Sequence, residues 1–198
     1  MRSLLLLAML GLASAQVDVK QLTTCKAALR LVPALKAGPQ GHTIFCPTND
    51  AFDSFAEDLG FYEPEEEGGK SASNQLLARM AGDPALTSVI AYHVVQGVLP
   101  TAALADGAVL PTLAGGAPLK VVNDDGDVTV VFNYVDYEDP EADDPEAEED
   151  VEFSDATFDG AFKKASSKYV VHAMGAVLTP PSAAGVLRQM YAAANEKK

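Results

Sequence analysis

The chain has no tryptophan, only two cysteines and three histidines, and half as many basic as acidic residues, 14 against 28. Each scarcity excludes something. A formal net charge of −14 repels nucleic acid and anionic lipid, so neither is expected as a partner, whereas cationic polymers, calcium and basic proteins stay open. No pair of histidines has His-x-His or His-x-x-x-His spacing and the cysteines cannot complete a tetrad, so no zinc site or other metal is expected. Gly-x-Ser-x-Gly, Gly-x-x-x-x-Gly-Lys and Gly-x-Gly-x-x-Gly are all missing, which removes the usual nucleophile turn and phosphate loops. No cofactor is expected. Asn-x-Ser/Thr is missing as well, so N-glycosylation is not expected.

Long apolar runs are also absent. The longest, Leu4 to Leu12, follows the basic start Met1-Arg2 and precedes Ala13-Ser14-Ala15. It falls short of the roughly 20 residues a membrane span requires and has the anatomy of a secretory signal peptide. The expected organisation is a signal peptide over 1–15, one domain over 16–181 and a C-terminal helix over 182–198. The ending Asn195-Glu196-Lys197-Lys198 lacks a hydrophobic tail, so no lipid anchor is expected. The product should be secreted, to the extracellular matrix or the cell wall or surface. Nothing in the sequence sets its oligomeric state.

In a secreted chain two cysteines most often pair. Leu22, Cys25, Leu29 and Val32 recur at helical spacing and form a stripe that faces the core. Cys46 ends the strand His42 to Cys46, and a helix packed on that strand would bring the sulfurs together; two buried thiols are the alternative. Pro33 should bend or end the first helix. Thr48 or Asn49 caps a second helix, a short helix runs from Asn74 to Met80, and Asp83-Pro84 starts another. From Ala108 the pattern turns to strands, with Asn123 to Asp127 as a hairpin turn between two of them. A further buried strand lies at Ser167 to Met174, and Ser182 caps the last helix. Helices first and strands later predict an α+β domain with an antiparallel or mixed sheet.

The run 136–152 has eleven acidic residues in seventeen and no basic one. It reads as a solvated loop that cannot bury enough to order itself. The sharper reading, a weak cation-binding segment, lacks the spacing of a calcium loop. His42 reads as solvated; His93 and His172 lie in apolar surroundings and read as hydrogen-bonded core residues. Asp50 and Asp53, at i and i+3 of a helix start, satisfy free amides and the helix dipole better than they make an acid–base pair. No catalysis is expected.

Three segments together resemble the fasciclin-type adhesion domain. "TIFCPTNDAF" is similar to that family's first signature, with Thr43, Phe45, Pro47, Thr48, Asn49, Ala51 and Phe52 in the matching positions. "VIAYHVVQGVL" resembles its Tyr-His segment through Tyr92 and His93. "YVVHAMGAVLTP" resembles the second signature, with Val170, Val171, His172, Val177, Leu178 and Pro180 matching. The resemblance implies a single α+β domain, a β-sandwich wedge with packed helices. It also implies non-catalytic adhesion to extracellular matrix or cell-surface proteins or polysaccharides, with Tyr92 and His93 as the contact candidates. The alternative is a calcium- or cation-responsive matrix component acting through the acidic insert. Cys46 stands where the family usually has alanine, which fits a disulfide to Cys25.

Overall fold

The computed structural model describes residues 18–35, 41–62, 70–124, 127–133, 148–154 and 169–196. The expected signal peptide and residues 136–147 of the acidic run lie outside the described residues.

The first helical segment is short and broken. A 3-10 turn at Val19–Leu22 leads into α1 (Thr23–Ala28), and further 3-10 turns follow at Leu29–Leu31 and Pro33–Leu35. The expected stripe holds: Leu22, Cys25, Leu29 and Val32 are all buried. Helix α2 (Asn49–Asp58) starts at Thr48, whose Oγ1 accepts the amide of Ala51 at 3.2 Å. Helix α3 (Ala72–Met80) is capped by Ser71 and so starts slightly ahead of the expected Asn74. Helix α4 (Pro84–Tyr92) begins with the expected Asp83 cap and proline, because an unpaired first-turn amide costs nothing where proline has none to offer. Helix α5 (Ala184–Asn195) departs from expectation: Pro181–Ala183 forms a 3-10 turn first and the cap residue, Ala183, makes no side-chain bond. Ser182 instead lies 3.2 Å, hydroxyl to hydroxyl, from Ser88 on α4.

Seven strands form one mixed sheet: β1 (His42–Pro47), β2 (Val94–Gln96), β3 (Val109–Leu110), β4 (Leu119–Asp124), β5 (Asp127–Asn133), β6 (Glu148–Ser154) and β7 (Val170–Met174), in the order β2-β1-β7-β6-β5-β4-β3. Among the described strands only β1 and β7 run parallel, with Thr43 opposite Val170 and Pro47 opposite Met174. The β4–β5 hairpin closes at Asp124 opposite Asp127, where the turn signal placed it. The two sheet edges then meet: Val95 bridges Thr112, and the amide of Leu113 donates to Val94 O at 2.8 Å. This seam covers Val94 and Val95 on the otherwise free side of β2.

One expectation is corrected here. The end of the acidic run is not loop: Glu148–Ser154 is strand β6, paired with β5 over residues 148–152 and with β7 at Phe153 and Ser154. Ladder pairing to β5, and then to β7, outweighs the poor strand preference of acidic residues, a preference that depends on context.

Because strand side chains alternate, the sheet serves two cores. Ile44 and Cys46 of β1 and Val171 and Ala173 of β7 join the helices in an outer core with Phe52, Phe55, Leu76, Leu86 and Leu187. Phe45 and Met174 point the other way, into an inner core with Tyr92, Leu119, Val121, Val130, Phe132 and Leu178. The disulfide joins Cys25 to Cys46 with the Cα atoms 5.8 Å apart, tying α1 to β1 inside the outer core.

At the C-terminal end of α2, Gly60 has φ +84, and a Cβ there would lie 2.5 Å from Cβ of Ala194. Glycine is required both by the left-handed backbone and by the close approach of α5.

Candidate functional site

The three signature segments meet at the end of the sheet where β1, β7 and the C-terminus of α4 come together. The polar triplet Thr48-Asn49-Asp50 has a structural task. Thr48 caps its own helix, and its amide donates to Met174 O at 2.9 Å, extending the β1–β7 pairing by one bond. Asn49 reaches across to α1. Its Oδ1 accepts the Thr24 amide at 3.0 Å and the Thr23 hydroxyl at 3.2 Å, and its Nδ2 donates to Lys20 O at 2.8 Å. Helix α1 has no side-chain cap of its own, so Asn49 supplies one from another element. Asp53 accepts the Ser73 amide at 3.3 Å and so satisfies the first turn of α3. Asn49→Ala is expected to cost about 1–2 kcal/mol, the range for a lost cap, read as a lower midpoint in urea unfolding. A loss below about 0.3 kcal/mol would mean that solvent replaces these bonds without penalty.

Thr43 and His172 lie on neighbouring strands and converge on one turn. The Thr43 hydroxyl donates to Gly97 O at 2.9 Å and accepts the Leu99 amide at 2.8 Å. His172 donates from Nε2 to Leu99 O at 2.9 Å, so both backbone groups of Leu99 are held by signature side chains. Phe45 sits between these histidine-bearing segments. Its ring stacks on His172 with centroids 5.4 Å apart and planes at 23°, and its amide donates to His93 O at 2.8 Å.

Tyr92 and His93 are both interior. Tyr92 is 0 % exposed and His93 2 %, so in this conformation neither side chain offers a surface to a partner. Tyr92 meets the edge of Phe132 with centroids 6.4 Å apart. Its hydroxyl has no hydrogen-bond partner among the described residues, and desolvation pushes the phenol up to about 12. His93 bonds to the backbone through both nitrogens. Nδ1 donates to Val89 O at 2.8 Å, and Nε2 accepts the Leu178 amide at 2.8 Å. The amide of Leu178 can only donate, which fixes the ring as the neutral Nδ1–H tautomer. Burial lowers its pKa to about 4, partly offset by the bond to Val89, which favours a protonated ring.

The remaining signature residues serve packing. Pro47, Ala51, Phe52, Val171, Leu178 and Pro180 are all buried. Among the described residues no group of three or more His, Cys, Asp or Glu could hold a metal ion, and no helix is long and apolar enough to cross a membrane.

A separate cleft of about 430 Å³ lies between the end of α2 and α5, lined by Leu59, Phe61, Tyr62, Arg79, Met190 and Ala194 among others. It contains no signature residue. No motif announces it, since it arises where α5 lands, and only Gly60 marks the close approach. Arg79 is ion-paired to Asp83 at 3.2 Å, one turn along the chain.

The search of curated proteins finds no match. Among solved structures, the chain is similar to a FAS1 domain pair from the insect cell adhesion molecule fasciclin I, at 13 % identity and a TM-score of 0.45. That alignment covers 83 % of this chain and 47 % of the other, so the chain spans about half the length of the structure it matches. The family model of the fasciclin domain matches residues 18–144. It therefore takes in the first signature, the Tyr-His segment and β1 to β5, and ends within the acidic run. With well over half of its length matched, the chain belongs to the fasciclin-domain family.

Proposed function

We propose that this chain is a secreted, non-catalytic adhesion domain that binds extracellular matrix or cell-surface proteins or polysaccharides. The observation that carries this reading is where the signature side chains spend their polar groups. Thr43, Thr48, Asn49, His93 and His172 bond inward, chiefly to backbone groups. Side chains used in this way brace a surface and are poorly placed to react with a substrate. Family membership supports an adhesion-type domain in general.

The braced surface is the turn after β2, where Gln96, Val98 and Pro100 are exposed while Thr43 and His172 fix the backbone beneath. Val98, 41 % exposed, is one of three large apolar side chains exposed to this degree among the described residues. Retention of the purified chain on cell-wall or matrix fractions tests the proposal. The native chain should be retained, and Val98→Asp should lose most of that retention while keeping its thermal stability. No retention on any fraction would overturn the adhesion reading; equal retention of Val98→Asp would overturn the choice of surface.

A further inference from the structure

We propose that His93 is an acid-sensitive latch, holding the segment 176–180 against helix α4 while neutral and releasing it when the ring takes up a proton. The ring joins two parts of the chain that no strand ladder connects: the last turn of α4 through Val89 O, and the Leu178 amide between β7 and α5. The second bond uses the lone pair on Nε2. An imidazolium has hydrogens on both nitrogens, so a protonated ring would set an N–H against the N–H of Leu178. One of the two must then leave, and the amide lies in the short connection that carries Val177, Leu178, Thr179 and Pro180 into the fold.

Among the described residues, no charged group is seen to offset the charge. Helix α4 presents Val89 and Ile90, β1 presents Phe45 and the latched segment presents Leu178, all uncharged. Of the titratable groups around it, Tyr92 precedes it on α4 and is uncharged throughout this pH range, and His172 lies on β7, stacked on Phe45. Burial is the main cause of the lowered pKa of His93, and no carboxylate contributes to it. In the closed state His93 titrates near 4, and in an opened segment near its ordinary value of 6.5. The open state therefore binds the proton more readily, and opening becomes easier as pH falls from 6.5 towards 4, with no further gain below. From those two values, the opening equilibrium rises about 20-fold between pH 7 and pH 5. What is released is Leu178, a side chain of the inner core beside Phe45 and Tyr92.

Hydrogen exchange of the full chain at pH 7 and pH 5, corrected for the intrinsic pH dependence of exchange, reads this directly. Peptides spanning 174–180 should lose protection about 20-fold in the native chain. In His93→Gln, whose amide can donate to Val89 O and accept from Leu178 without titrating, protection should not change between the two pH values. An equal acid response in His93→Gln, or none in the native chain, overturns the latch. Should His93→Gln not fold, the native ring decides: nitrogen shifts at pH 6 must show a neutral Nδ1–H imidazole. An imidazolium at that pH with a protected Leu178 amide would overturn it.

Discussion

The double replacement Cys25→Ala with Cys46→Ala is expected to lower the unfolding free energy by about 3 kcal/mol. The cysteines are 21 residues apart, and closing a loop of that length removes a matching amount of entropy from the unfolded chain. The segment inside the loop shows why this matters locally. It holds most of α1, two 3-10 turns and all of β1 but Pro47, elements too short to be stable alone. Their attachment otherwise rests on Leu29, Val32 and Leu35 in the outer core and on Asn49 across the helix ends. Alanine is the proper replacement, since serine would place hydroxyls where Cys25 and Cys46 are 2 % and 0 % exposed. Urea unfolding should show a lower midpoint with a larger dependence on denaturant, because the unlinked chain exposes more surface. A loss under about 1 kcal/mol would mean that the unfolded state is already compact in this region.

How far the sequence leads depends on the range of the interaction. Features set by neighbours a few residues away were legible: the Thr48 and Asp83 caps, the stripe Leu22-Cys25-Leu29-Val32, the Asp124–Asp127 turn and the apolar core histidines. Features set by distant partners were not. The near-continuous apolar runs "TIFC" and "YVVHAM" say that each strand has two buried faces, but not that the strands lie side by side and parallel. Asn49 looks like an ordinary cap in sequence, and its work on α1 is visible only once the two helix ends meet. In β6, Val151 and Phe153 alternate with acidic neighbours, a trace of strand that the density of charge concealed. The Tyr-His pair shows the same limit. Its apolar neighbours suggested core and the family resemblance suggested contact, and only the fold reveals how deep the two side chains lie.

Phe45→Ala should be the most damaging single change, costing about 3–5 kcal/mol, the range for a large aromatic removed from a core that cannot collapse around the gap. Phe45 is 0 % exposed and lies where the three signature segments touch. Its ring covers His172, its amide holds His93 O, and it belongs to the inner core with Tyr92 and Leu178. Collapse is hindered because the surrounding backbone is fixed: β1 is paired on both sides, to β2 and to β7. Alanine keeps the amide bond, so the loss reports packing and the stack on His172 rather than the ladder. Phe45→Leu separates these, restoring most of the volume without the aromatic face, and should cost less than about 1.5 kcal/mol. If both variants lost the same amount, the stack on His172 would outweigh the filled volume; if Phe45→Ala lost less than about 1.5 kcal/mol, the inner core would be able to close over the gap. The measurement is urea unfolding of both variants at pH 7, above the range in which His93 takes up its proton. There the latch is closed in all three proteins and the differences belong to position 45 alone.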